Sequence, residues 1–347
     1  MSLLGRAARL LAGGEMAPAV GCTPAEVVHA ENKWRLLHYL RTPESPAVTT
    51  RTPVLLVPSL INRHYVLDLM RGKSFAQAMV EAGHEVYIID WGTPGPEDRW
   101  LSFDDICDRY LGRAIRMTAR HAGAPATHVL GYCLGGTLAA IHAAVHPRQV
   151  ASLVALAAPI DFADDGLLSL WSRTRSFDPA VLVEALGNVP WQLLQATFHL
   201  LRPTLPLRKA VSLVERAWDD EFLDGFFATE RWGSDNVAFP GECFARYIEQ
   251  LYRRNALVRG EFTLGGHTVA LSRIRCPTLA VTFADDHIVP WRSAAALLEH
   301  VGAPVREHIH LPGGHVGAVV SRKAAASLWP RLSAFWRAHD GAHLTAA

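Results

Sequence analysis

A chain of 347 residues, half of them hydrophobic, is long enough to bury a large core and too apolar to be disordered. Its formal net charge is +1, with 34 basic and 33 acidic residues mixed along the sequence, so no basic stripe marks a nucleic-acid partner. The five cysteines, Cys22, Cys107, Cys133, Cys243 and Cys276, are scattered and form no Cys-x-x-Cys pair, which argues for a reducing compartment and against a zinc site.

Residues 1–14 are amphipathic and basic, but their apolar runs are too short and interrupted for a signal segment or a membrane span. A frayed terminal helix is expected there, with residues 1–30 a flexible amino-terminal segment and the protein cytoplasmic. Residues 53–58, Pro-Val-Leu-Leu-Val-Pro, form a continuous apolar run of the kind buried inside a parallel sheet. A helix is predicted over 74–82 and a second strand over 85–91. Between 103 and 122, Ile106, Tyr110, Ala114 and Met117 recur at helical spacing, with arginines and aspartates opposite.

The run Thr127-His128-Val129-Leu130 then enters Gly131-Tyr132-Cys133-Leu134-Gly135-Gly136, and a helix-like stretch, 137–144, follows. Strand, Gly-x-nucleophile-x-Gly and helix in that order make a nucleophile elbow. The tight turn exposes the central side chain at the carboxyl end of a strand, and glycines flank it because side chains would strike neighbouring backbone. A cysteine among small apolar residues can also be a buried space filler. The flanking strand and helix favour the nucleophile, and a thiol there points to acyl transfer through a thioester.

Further strands are predicted over 151–156 and 276–282. The gap between them is far too long for a simple crossover and must hold an inserted subdomain, residues 163–258, rich in Trp, Phe and Leu and broken by Pro179, Pro190, Pro203, Pro206 and Pro240. The expected fold class is α/β: a mainly parallel central sheet with helices on both faces, built from residues 31–162 and 259–340. The inserted, mostly helical cap would lie over the carboxyl ends of the strands and cover Cys133.

The strand at 276–282 runs into Asp285-Asp286-His287-Ile288-Val289-Pro290-Trp291, so an acid stands just past a late strand, where it could orient a histidine. Past a last strand at 305–310, Pro312-Gly313-Gly314-His315 sets a histidine in a small-residue loop ahead of a closing helix near Arg322. His308 and His310 alternate along the strand and read as strand faces. The order nucleophile, acid, histidine resembles that of α/β-hydrolases. Oxyanion stabilisation needs two backbone N–H groups. One is assigned to Leu134, after the nucleophile, and the other to the loop after the first strand, at Ile61 or Leu60. Asn62 in that loop is either a site residue or a turn residue.

With these residues assembled, the chain resembles the polyhydroxyalkanoate synthases, polyester polymerases with an α/β-hydrolase core. The resemblance rests on residues 131–136, on Asp286-His287-Ile288-Val289-Pro290-Trp291 and on Gly313-Gly314-His315-Val316. Residues 62–69, 87–92 and 255–262 support it. It implies that Asp286, not Asp285, is the acid of a Cys133–His315–Asp286 triad and that His287 lies near the site. Asn62, His287 and Trp291 are thus the candidate substrate-binding residues. The length resembles the short synthases that work with a separate partner subunit. Val269-Ala270-Leu271 and His64 depart from the family pattern, leaving room for a homologue that does not polymerise.

The implied substrates are (R)-3-hydroxyacyl-CoA and a growing polyester, with no metal and no cofactor beyond the CoA thioester itself. A thiolate exchanging with a CoA thioester makes another thioester of similar energy, so the acyl group stays activated for transfer to a hydroxyl. A homodimer at the surface of polyester granules is the expected setting. The rival readings are a cysteine hydrolase of the same fold, acting on acyl-CoA or polyester with water as acceptor, and a catalytically silent granule-binding protein.

Overall fold

The computed structural model describes residues 18–43 and 45–341. The segment 1–14, expected as a frayed helix, lies outside the described residues, and of the residues 1–30 expected to be flexible, 25–30 instead pair into the main sheet. Among the described residues ten strands follow in chain order: β1 (Ala25–Glu31), β2 (Trp34–Tyr39), β3 (Val54–Val57), β4 (Val86–Asp90), β5 (Thr127–Tyr132), β6 (Val150–Leu156), β7 (Thr263–Leu264), β8 (His267–Thr268), β9 (Thr278–Phe283) and β10 (Arg306–Leu311). Eight form one sheet in the order β1-β2-β4-β3-β5-β6-β9-β10, while β7 and β8 pair as a separate hairpin.

The pairs from β4 through β10 are all parallel, and β2 alone runs against both of its neighbours. The inner parallel strands, β4, β3, β5, β6 and β9, are buried along their whole length and mostly apolar because both faces are covered, whereas the edge strand β10 is largely exposed and polar. Alternation divides them: Leu55, Val57, Tyr87, Ile89 and Val129 pack with helices Leu111–His121 and Leu134–Val145 on one side. Val54, Leu56, Val86, Ile88 and Leu130 face Phe75–Glu81 and Trp329–Ala338 on the other. Each fully buried Leu or Ile contributes about 1.5–3 kcal/mol. This is the expected α/β architecture, and the helix predicted over 74–82 starts where Ser74 caps it by accepting from the Gln77 amide at 2.9 Å.

The strands β1 and β2 were not legible in the sequence. Their segments, Ala-Glu-Val-Val-His-Ala-Glu and Trp-Arg-Leu-Leu-His-Tyr, mix polar with apolar residues because they form a partly solvated edge. Asn32, with φ 52°, makes the two-residue turn between them, a conformation asparagine tolerates. The register of β2 on β4 is marked by Arg35, which lies opposite Asp90 of β4 and donates to its carboxylate at 2.6 Å.

Between β6 and β9 the chain makes six helices, Leu167–Ser172, Pro179–Leu186, Trp191–Leu200, Leu205–Glu215, Asp220–Ser234 and Gly241–Arg246. The prolines noted in this stretch start helices instead of merely breaking them. Pro179 and Pro206 stand at first-turn positions and Pro190 and Pro240 at N-caps, where a missing N–H costs nothing. Entry and exit of the insertion are tied by one side chain. Asn255 accepts from the Phe162 amide at 2.9 Å and donates to Asp161 at 2.7 Å, from a backbone at φ 51°.

Candidate active site

Cys133 ends β5 and serves as N-cap of the helix Leu134–Val145, with φ 55° and ψ −130°. Such a backbone is costly for a residue with a Cβ and persists only where its surroundings impose it. The neighbouring glycines show how. A Cβ on Gly131 would stand 2.3 Å from the Gly136 Cα, and one on Gly135 would stand 2.1 Å from the Val57 carbonyl oxygen. The Cys133 amide donates to the Leu156 carbonyl at 2.9 Å, pinning the apex to β6. The thiol is half-buried and opens onto a cavity of about 540 Å³.

His315 lies in the loop after β10, where Gly313 takes φ 116°. Its buried ring presents Nδ1 to Asp286 Oδ2 at 2.7 Å. The other carboxylate oxygen, Oδ1, accepts from the amides of Ile288 and Val289, both at 2.9 Å, which locks the acid in its turn after β9. Tyr132 donates its hydroxyl to the His315 carbonyl at 3.2 Å and places its ring 5.2 Å from the imidazole. Burial alone would lower the His315 pKa. The Asp286 carboxylate and the Cys133 sulfur, which also hydrogen-bonds the ring, outweigh that and push it up to about 10. The three predicted triad residues therefore meet, with the imidazole between thiol and carboxylate. Asp285 is exposed, and His308 and His310 are held on β10 by the Thr282 hydroxyl, each at 2.8 Å.

Leu134 opens the elbow helix, so its amide has no partner within the helix, and Ile61 sits in the loop after β3. Both line the cavity beside Cys133. The remaining walls come largely from the insertion: Leu168, Trp171, Phe177, Leu194, Phe239 and Tyr252 are among them. An acyl chain bound here would meet mostly apolar side chains.

A family profile described as the alpha/beta hydrolase fold matches residues 52–320, and one described as the N-terminus of poly-beta-hydroxybutyrate polymerase (PhaC) matches residues 14–79. The poly(3-hydroxyalkanoate) polymerase subunit PhaC of Allochromatium vinosum is 34% identical, over 90% of this chain and 88% of its own. The chain belongs to the poly(3-hydroxyalkanoate) polymerase family. The polymerase subunit of Haloferax mediterranei is 36% identical over 91% of this chain, which spans 64% of that relative's length. Among solved structures, a soluble variant of the monoglyceride lipase of Saccharomyces cerevisiae superposes with a TM-score of 0.57 at 12% identity. The match covers 93% of this chain and 97% of that one and shows the shared fold.

Within this polymerase-family chain, the three residues predicted to bind substrate fall outside the cavity. Asn62 donates its side-chain amide to Asn236 at 2.6 Å, fastening the Ile61 loop to the insertion. His287 is exposed, because the Asp286 turn that points the carboxylate inward turns the next side chain out. Trp291 packs its ring against His308 and His310 and lines a different hollow, of about 300 Å³, behind Asp286. Conversely, Ser59, Tyr247 and Tyr252 line the main cavity and were not singled out from sequence. Ser59 follows the first strand directly, a usable signal. Tyr247 and Tyr252 lie in a π-helical segment, Tyr247–Arg253, whose wider turn breaks helical periodicity.

Proposed function

We propose that this chain polymerises (R)-3-hydroxyacyl-CoA into polyester through a Cys133 thioester. The observation that carries the reading is the placement of the Cys133 thiol, backed by a buried His315–Asp286 pair, at the floor of an apolar cavity large enough for an acyl chain. With the Cys133 proton already held on His315, the thiolate attacks the thioester carbonyl of the substrate. The Leu134 and Ile61 amides receive the developing oxyanion. Collapse breaks the carbon–sulfur bond to CoA, whose sulfur takes the proton back from His315.

The 3-hydroxyl of a second 3-hydroxyacyl-CoA then attacks the Cys133 thioester while His315 removes its proton. An ester forms, Cys133 is released and recovers that proton, and the lengthened chain, now itself a CoA thioester, re-acylates Cys133. The apolar walls exclude water, which would otherwise end the chain. The relatives' naming as polymerase subunits supports a second subunit for this chain as well. The exposed apolar residues Leu200, Leu207, Val211, Val214 and Trp218 suit contact with that subunit, a second copy or polyester. No helix among the described residues is long and apolar enough to cross a membrane; a cytoplasmic protein at the granule surface is our reading.

Incubation with 3-hydroxybutyryl-CoA tests it. Release of CoA with a growing, precipitable polyester is the expected result, with both absent in Cys133→Ala. Free 3-hydroxybutyrate without polymer would replace the polymerase by a hydrolase, and activity surviving in Cys133→Ala would remove the thioester.

A further inference from the structure

We propose that the carboxyl-terminal end of the elbow helix is a binding site for a divalent transition-metal ion, best matched by Zn²⁺, with His142, His146 and Asp108 as ligands. One donor atom from each lies within 4.8 Å of the other two. His142 belongs to the helix Leu134–Val145 and His146 is its C-cap, so the two rings, four residues apart, project from one face with centroids 4.6 Å apart. Asp108 comes from the facing segment Asp105–Tyr110, a π-helical turn of the kind that re-aims a side chain out of the α-helical register.

Several features suit a cation. His142 is fully buried, and its Nδ1 lies 3.0 Å from the Cys107 carbonyl oxygen, which requires the proton on Nδ1 and leaves a lone pair on Nε2. That lone pair faces Gln149 Oε1 at 3.2 Å. Two acceptors so placed are reconciled either by turning the Gln149 amide or by a cation between them. Gly112 leaves room for the ring on the other side, since a Cβ there would stand 2.7 Å from His142 Cε1.

The helix end also carries the partial negative charge of its unpaired carbonyls, which favours a cation. His146 Nε2 is 2.6 Å from Asp108 Oδ1, and these side chains are 31% and 36% exposed, so an ion has a path from solvent. Imidazole and carboxylate donors are a normal set for Zn²⁺. The cysteine spacing argues only against a thiolate site and does not touch this one. The 12-residue helix separates the ion from Cys133 by about 18 Å, so it would fasten the elbow helix to segment 105–110 and take no part in acyl transfer.

The test is a Zn²⁺ titration of the whole chain without an affinity tag, carrying Cys133→Ala so that the thiol does not compete, followed by calorimetry and by Tm. One equivalent should bind and raise Tm with Zn²⁺ concentration. His146→Ala and Asp108→Asn should each weaken binding about tenfold or more. Both sites are partly exposed, and either variant decides the matter if the other fails to fold. His38→Ala is the comparison, because Glu26, His38 and His121 form a second cluster of possible ligands. Binding that survives both His146→Ala and Asp108→Asn, that is lost only in His38→Ala, or that is not saturable overturns the proposal.

Discussion

Replacing Asp286 by Asn changes the position of one proton. In the native chain Asp286 Oδ2 pairs with His315 Nδ1 at 2.7 Å while Oδ1 accepts from two amides at 2.9 Å. Asparagine keeps an oxygen for the amides, so its NH₂ group must face the ring. His315 then carries its proton on Nε2, the nitrogen toward Cys133, and is unable to receive the thiol proton. The two side chains are only 7% and 1% exposed, so water does not substitute for the lost bond. Removing one partner of a buried pair costs about 3–5 kcal/mol. At 1.36 kcal/mol per factor of ten, the rate should fall about 10²- to 10⁴-fold. The assay is the initial rate of CoA release from 3-hydroxybutyryl-CoA, with alkylation of Cys133 by iodoacetamide as a readout that needs no acceptor. Both should drop while the far-UV circular dichroism stays unchanged. A CoA-release rate within about threefold of the native chain, under about 1 kcal/mol on the same scale, would refute the role given to Asp286.

His315 also links stability to pH. Burial lowers its pKa, yet Asp286 and Cys133 raise it to about 10, so the charged ring stabilises the fold fully below its ordinary value near 6.5 and loses that contribution as pH climbs through about 10. In urea melts, the stability advantage of the native chain over His315→Gln should shrink across that window; an advantage that grows would sink the assignment. Gly135→Ala would force a Cβ to 2.1 Å from the Val57 carbonyl oxygen and should cost about 1–3 kcal/mol and abolish CoA release. Gly233→Ala, in the helix Asp220–Ser234 with nothing within 4 Å of the new atom, should instead stabilise by up to about 1 kcal/mol, and thermal melts of the pair compare the two. Asn255→Gly keeps the backbone conformation but loses the bonds to Asp161 and Phe162, so it should destabilise by about 1–3 kcal/mol. Unchanged melting of that variant would show that the insertion does not depend on this tie.

The parallel strands, the elbow and the order of the triad were legible in the sequence because each is written in neighbouring residues. Apolar runs such as residues 54–57 have one physical use, burial on both faces, and the glycines around Cys133 answer clashes within a few residues. The resemblance to the synthases added the choice of Asp286, which the residues alone left level with Asp285. The edge strands β1 and β2 escaped because a half-solvated strand has no distinctive pattern. The three substrate-binding candidates lie apart from the cavity walls for a related reason. Asn62, His287 and Trp291 sit in stretches that mark the family, but nearness in sequence to a catalytic residue does not determine which way a side chain points. Whether Asn62 meets a ligand or Asn236 is decided by segments 174 residues apart in the chain. The cavity walls from Leu168 to Tyr252 likewise come together only when the insertion folds over the strand ends. The sequence determined where the Cys133 thiol stands, because that rests on local geometry; the tertiary structure decided which side chains line the cavity before it, because that rests on packing between distant segments.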